Sequence, residues 1–196
     1  MNKLYYRIIK FLIKNEYDFK ARYLPAVLFT IVFEFSVYCK YFLESFSLLD
    51  FIKIPIIIFS SLFLALLPKF CSVIMSGYLQ TLYWNKFGNT TIKYIRKSKN
   101  TLYLNLLNKF ENEDKLMSDM LKVTRENQLL LSKNIFYGFM RNFTFLIFCF
   151  LLINIIYFNY FIFENIFVLI FGCICLYVSS QQYAEQILKS YIEYSN

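Results

Sequence analysis

The chain has 196 residues, of which 58% are hydrophobic, 21% are aromatic and 17% are charged, with a net charge of +8 and no histidine. An ordinary globular domain is about half apolar and about 25% charged. This composition excludes a water-soluble monomer, which could not keep so much apolar surface from water, and it excludes a zinc site that uses histidine.

The N-terminal segment, residues 1–23, is predicted to contain a basic amphipathic helix. Lys3, Arg7, Lys10 and Lys14 recur at helical spacing opposite an apolar face. We expect this helix to lie on the anionic cytoplasmic leaflet of a membrane. The alternative is that it packs on the protein's own cytoplasmic helices.

Four apolar stretches approach the length of about 20 residues that an α-helix needs to cross a bilayer. They are predicted over residues 24–43, 54–75 and 143–162, and from residue 165 to Ser179 or Ala184. The first two form the region 24–76, and the last two form the region 143–196 with a short cytoplasmic C-terminal helix. The second stretch contains Pro68, which spanning helices tolerate, and Lys69, whose head we expect to extend to the interface.

Lysine and arginine residues predict the orientation in the membrane. Six lie before the first span and eleven lie between the second and third spans. The first two spans are connected by a segment with only Lys40 and Lys53, and the last two by a segment with none. We therefore expect a multi-pass protein of the cell inner membrane with both termini in the cytoplasm.

The segment between the second and third spans, residues 77–142, is predicted to be a cytoplasmic helical domain. Breaks between helices are expected after Phe87, near residues 100–101 and near Asn112. From Lys115 onward, one long helix is expected to run into the third span.

The first of these breaks could also be a binding site. Gly88 and Asn89 are expected to end one helix, and Thr90 or Thr91 to cap the next. Free N–H groups, hydroxyls and nearby cations together suit a phosphate from a lipid head group or a nucleotide. The alternative is that these residues only fold the turn. The candidate contacts are Trp84, Gly88, Thr90, Thr91 and Arg96.

Polar residues inside the predicted spans form a second candidate site. Glu34 lies near the middle of the first span, where a carboxylate costs about 2.5–3.5 kcal/mol on insertion scales. This favours a proton site, a cation site or a contact between subunits, and the alternative is a tolerated, hydrogen-bonded carboxyl group. Asn154 and Asn159 are weaker candidates for polar lining or an interhelical bond.

Few residues could carry catalysis. Without histidine, acid and base chemistry would fall to carboxylates, and those at 111–114, Asp119 and Glu126 are typical of a solvated helix start and face. The sequence has no glycine-rich phosphate loop and no serine elbow. All five cysteines lie in or beside apolar runs, as small buried hydrophobes do. We therefore expect a protein that is not an enzyme, with no cofactor and no metal.

Two motifs resemble those of a family of small, mostly uncharacterised bacterial membrane proteins. In that family a tryptophan precedes G-x-P-T-x-x-x-L-R, and Y-G-F-x-R-N opens the next span. Trp84, Gly88, Thr91 and Arg96 match the first motif, and the family's proline falls on Thr90. The second motif is matched by Tyr137, Gly138, Phe139, Arg141 and Asn142. "YDFKARYLP" and "QQYAEQILKS" are also similar, and the resemblance implies four spans but no established reaction.

The second motif also has a physical interpretation. Gly138 is expected to let another helix approach closely, while Tyr137, Arg141 and Asn142 lie at the cytoplasmic boundary of the third span. If the two motifs meet in space, Arg141 or Arg96 would be the residue that donates to an acceptor lying between them.

The predicted fold class is an all-α integral membrane protein with four transmembrane helices, a cytoplasmic helical subdomain and an N-terminal amphipathic helix. By analogy, we expect a homo-oligomeric bacterial effector or signal-responsive pore-type protein of an anti-phage or stress system. One alternative is a membrane scaffold that recruits a cytoplasmic protein partner, and another is a small channel or transporter that uses Glu34. Nucleic-acid binding is not expected, because membrane topology already explains the basic loops.

Overall fold

The computed structural model describes residues 16–42, 55, 60–97, 105, 112–158 and 162–195. The elements in these ranges are helices, which confirms the all-α class for the described part of the chain. They are α1 (Leu24–Phe42), preceded by the π-helical turn Asp18–Tyr23; α2 (Leu66–Phe87); α3 (Thr90–Lys97); α4 (Glu113–Val123); α5 (Gln128–Ile153), followed by the π-helical turn Asn154–Phe158; and α6 (Ile162–Ser195). The basic helix of residues 1–15, the break at 100–101 and Asn159 lie outside the described residues.

Four helical stretches are long and apolar enough to cross a membrane, as the sequence predicts. They are Asp18–Tyr38, Ser60–Lys97, Gln128–Tyr157 and Ile162–Tyr194. Large apolar side chains on α6 remain mostly exposed, among them Phe163, Phe167 and Phe171. A face of this kind suits a lipid environment or contact with another apolar surface. The domain limits drawn at 76/77 and 142/143 fall inside α2 and α5, which continue through them.

A short irregularity precedes α2, where a turn at Ala65 interrupts the helical stretch that begins at Ser60. Pro68 explains it, because its ring nitrogen carries no hydrogen and cannot donate to the carbonyl of Leu64. Helical hydrogen bonds are present on both sides of the missing one. Ala65 N–H donates to the Ser61 carbonyl at 3.0 Å, and Lys69 N–H donates to the Ala65 carbonyl at 2.9 Å. The proline therefore interrupts the helical hydrogen bonds at one position, and the helix continues beyond it.

A hydrophobic cluster at one end of the bundle joins α3 and α4 to the ends of α5 and α6, and we call this end the cap. The buried members of the cluster are Ile92, Ile95, Leu116, Met120, Leu130, Ile187, Leu188 and Tyr191. The Tyr191 hydroxyl also donates to Asp119 Oδ2 at 2.7 Å. Because α6 supplies three of these residues, the segment 77–142 does not form its core alone.

One predicted helix is two helices in the structure. The expected break near Asn112 is confirmed, since α4 begins at Glu113, but the long helix from Lys115 into the third span is wrong. Asn127 adopts an extended conformation, and its Oδ1 accepts from Leu130 N–H at 2.9 Å. This side chain caps α5, so the chain starts a new helix at Gln128.

Candidate functional site

Charged side chains are buried where the π-helical turn before α1 meets α2 and α5, a region that we call the polar junction. Lys69 Nζ lies 2.7 Å from Asp18 Oδ2, and each side chain is only 7% exposed. Arg22 Nη1 lies 3.3 Å from the other oxygen of Asp18. The expectation that Lys69 extends its head to the interface is therefore wrong, because a buried carboxylate holds it inside the bundle.

Asn142 forms the centre of the polar junction and is fully buried. Its Nδ2 donates to the Ala21 carbonyl at 2.7 Å, and its Oδ1 accepts from Ser76 Oγ at 2.8 Å. Four residues after Ala21 comes Pro25, which has no N–H to give that carbonyl. The Asn142 amide of α5 therefore donates to a carbonyl of the π-helical turn before α1, and Asn142 lies inside the bundle rather than at its surface.

Gly138 permits the close approach that the sequence predicts. A Cβ atom built on it would lie 2.7 Å from the Tyr17 hydroxyl and 3.0 Å from Ala21 Cβ. The Arg22 guanidinium lies over the Tyr17 ring, 5.2 Å from its centroid. The "YDFKARYLP" and "YGFMRN" segments therefore pack directly against each other.

The turn between α2 and α3 confirms the predicted break, but the residue that caps the N-terminus of α3 differs from the prediction. Gly88 has φ 80° and ψ 163°, a conformation available essentially only to glycine, and its N–H donates to the Trp84 carbonyl at 2.7 Å. Asn89 Oδ1 accepts from Thr91 N–H at 2.8 Å, so Asn89 is the cap in place of Thr90 or Thr91. The Thr91 amide is therefore already bonded within the protein.

A cavity of about 610 Å³ lies between α2, α3, α5 and α6, and it joins the two sequence motifs. Trp84 and Thr90 line it from the first motif, and Tyr137 and Arg141 line it from the second. The other candidates, Gly88, Thr91, Arg96, Gly138 and Asn142, lie outside the lining. Arg96 instead pairs with the exposed Glu113, so Arg141 is the motif arginine that faces the shared space.

The cavity has a basic end and an apolar end. Lys93 and Lys97 of α3 join Arg141 at the end next to the cap, whereas Phe148 and Leu169 line the opposite end. Arg141 Nη1 donates to Gln80 Oε1, which holds the guanidinium in place. The polar groups at the basic end are mainly donors and cations, and such groups bind anions.

Two buried polar atoms of the lining have no hydrogen-bond partner among the described residues. They are Arg141 Nε and Thr144 Oγ1. Thr144 is 8% exposed and contacts Gly172 of α6. Because buried polar groups are almost always hydrogen-bonded, these two atoms distinguish the cavity from an ordinary packing gap.

Glu34 has a hydrogen-bond donor within the bundle that sequence could not identify. Ser60 Oγ donates to Glu34 Oε2 at 2.8 Å, while the buried Oε1 has no partner in the described part of the chain. Asn154 is 2% exposed on the neighbouring helix. The rings of Phe29 and Phe150, 6.3 Å apart, set the register of α1 against α5, which gives Glu34 and Asn154 a similar depth.

Sequence reasoning did not pair Asp18 with Lys69 and did not single out Gln80 or Thr144. A signal for the ion pair was present, because a lysine within an apolar stretch requires a partner, and Asp18 is the last acidic residue before the first apolar stretch. Gln80 and Thr144 carry no such signal. Within the described ranges, no group of three histidine, cysteine, aspartate or glutamate residues could hold a metal ion.

Comparison of the chain with protein-family models, curated proteins and solved structures finds no match. The resemblance of the two motifs to a bacterial membrane protein family stays a prediction. The cavity and the polar junction are therefore the basis for inferring a function.

Proposed function

We propose that the protein is a non-enzymatic effector of the bacterial inner membrane, whose cap receives a signal and whose spans respond by changing membrane permeability. The polar junction is the observation that carries this proposal. It ties α1, α2 and α5 together through Asp18, Lys69 and Asn142, and α5 continues from there to the cap through Leu130. A change of packing in the cap would therefore be transmitted to three spans, because packed interiors shift as units.

The orientation and the assembly are parts of the same proposal. The concentration of basic residues between the second and third spans favours a cytoplasmic cap. Phe163, Phe167 and Phe171 recur every four residues on α6, and each is more than 60% exposed. We infer that this aromatic face contacts the same face of a second copy, which gives a homo-oligomer in the membrane. In a monomer, lipid would cover it.

A permeability assay tests the proposal. Expression of the protein should depolarise cells, as read by a membrane-potential dye, and the purified protein should release a small dye from vesicles. Intact potential at expression levels that stop growth would contradict the effector function. Co-purification of a second protein without any leak would favour a scaffold instead.

A small channel or transporter built around Glu34 is the second candidate. The observation that favours it is the buried Glu34 Oε1, which has no partner among the described residues, at a depth similar to that of Asn154. Glu34→Gln should then abolish ion flux while leaving membrane insertion intact. Glu164→Gln is the matched control, because Glu164 is exposed in the first turn of α6. Equal flux in both variants would remove this candidate.

A further inference from the structure

We propose that the cavity between α2, α3, α5 and α6 binds part of an anionic phospholipid, with its phosphate at Arg141 and one of its two acyl chains along the apolar end. This inference rests on the membrane placement and the orientation proposed above, and it is independent of any pore. The volume of about 610 Å³ is in the range of ordinary ligand sites.

The charge distribution identifies the head group. Arg141, Lys93 and Lys97 all line the cavity, and the two lysines belong to α3, which packs in the cap. Lys93 Nζ already lies 5.0 Å from the centroid of the Tyr83 ring, which keeps its ammonium at the wall. Basic pockets between spanning helices on the cytoplasmic side bind anionic head groups, and each cation near the membrane surface contributes about 1 kcal/mol.

The buried polar atoms indicate an acceptor. Arg141 Nε can donate one hydrogen bond and the Thr144 hydroxyl another, and neither does so to a described residue. Arg141 and Thr144 are three residues apart on α5, so their side chains share one face of the helix. Each atom has almost no accessible surface, so a phosphate or ester oxygen in the cavity reaches them only when the neighbouring side chains shift.

The apolar end selects a lipid over a soluble phosphate. Phe145, Phe148 and Leu169 continue the cavity away from the cations, toward the middle of the predicted spans. A nucleotide or inorganic phosphate would leave these side chains uncovered, whereas an acyl chain would cover them. The two halves of the cavity therefore match one amphiphile.

The only tryptophan of the chain, Trp84, lines the cavity and provides a direct readout. The full-length protein is reconstituted in phosphatidylcholine vesicles that contain brominated phosphatidylglycerol or, at the same mole fraction, brominated phosphatidylcholine. We expect phosphatidylglycerol to quench Trp84 fluorescence more strongly. Symmetric vesicles make this readout independent of orientation, and of whether the protein forms a pore.

Two neighbouring residues supply a matched pair of variants. Lys97 lines the cavity and Arg96 does not, although both are exposed in the last turn of α3. Lys97→Gln and Arg141→Gln should each reduce the preference for phosphatidylglycerol about fivefold, whereas Arg96→Gln should retain it. Lys97→Gln keeps the test decisive if Arg141→Gln does not fold.

A second pair tests the acyl-chain end without changing charge. Cys173 lines the cavity, and Cys71 is a similarly exposed cysteine outside it. Cys173→Phe should reduce the preference, and Cys71→Phe should not. Equal quenching by the two lipids, an equal loss in Arg96→Gln, or displacement of the lipid by inorganic phosphate would each overturn the proposal.

Discussion

Replacing Lys69 by methionine should destabilise the protein strongly. The substitution keeps most of the side chain's length but leaves Asp18 without the ammonium that lies 2.7 Å away. Because both side chains are only 7% exposed, water cannot take the place of the lost partner. Removing one member of a buried ion pair costs about 3–5 kcal/mol.

We expect the loss of stability in Lys69→Met to lie at the lower end of that range because of Arg22. Its guanidinium lies 3.3 Å from Asp18 Oδ1 and still compensates part of the carboxylate charge. A loss of about 3 kcal/mol corresponds to a fall in melting temperature of about 6–12 °C, at about 2–4 °C per kcal/mol for chains of this size. Thermal unfolding of the purified protein in detergent, followed by tyrosine fluorescence, would measure it.

An exposed ion pair in the same segment provides the control. Lys20 Nζ lies 2.6 Å from Glu16 Oε1, but these side chains are 52% and 59% exposed. Lys20→Met should therefore cost about 0–1 kcal/mol. Asp18→Asn combined with Lys69→Met removes the whole pair and should recover most of the loss. The reasoning is refuted if Lys69→Met melts as Lys20→Met does, or if the double variant is no more stable than Lys69→Met alone.

Substitutions at four further positions test the local geometry through the same melting experiment. Gly138→Ala should cost about 1–3 kcal/mol, because its methyl group would lie 3.0 Å from Ala21 Cβ and would also displace the Tyr17 hydroxyl. Gly77→Ala should instead stabilise by about 0.5–1 kcal/mol, because open space surrounds that helical position. The same sign for both would contradict the close approach. Gly88→Ala should cost about 1–3 kcal/mol through its backbone conformation alone, and an unchanged melting temperature would disprove that strain. Asn127→Ala should cost about 0.5–2 kcal/mol, because it removes the side-chain acceptor at the N-terminus of α5. Asn127→Ser should restore most of this stability, and a failure to do so would contradict the capping role.

Sequence predicted what depends on local composition. The four apolar helices follow from long apolar runs with few charges, and the end of α2 follows from Gly88, which reaches a conformation that other residues avoid. Gly138 was also predictable as a close approach, because a glycine at the start of a spanning helix commonly marks one. The element on which it packs was not predictable.

The sequence did not predict features that depend on tertiary contacts, or on which of two local patterns, apolar periodicity or helix capping, decides where a helix ends. Apolar residues run through both α4 and α5, so periodicity alone suggested one helix, whereas the Asn127 side chain offers the backbone a cap. Asp18 and Lys69 are 51 residues apart, and only the packing of α1 on α2 makes them a pair. The cavity needs four helices at once, so its lining could not be read from either motif alone.

The bond between Asn142 and Ala21 has a consequence for biogenesis. The two residues are 121 positions apart in the chain, so at about 5–20 residues per second a ribosome needs about 6–24 s between them. During that interval the Ala21 carbonyl lacks the donor that Asn142 later supplies. The first two apolar helices are thus without this contact until the third has been synthesised, so a chain that stalls between them leaves the polar junction incomplete.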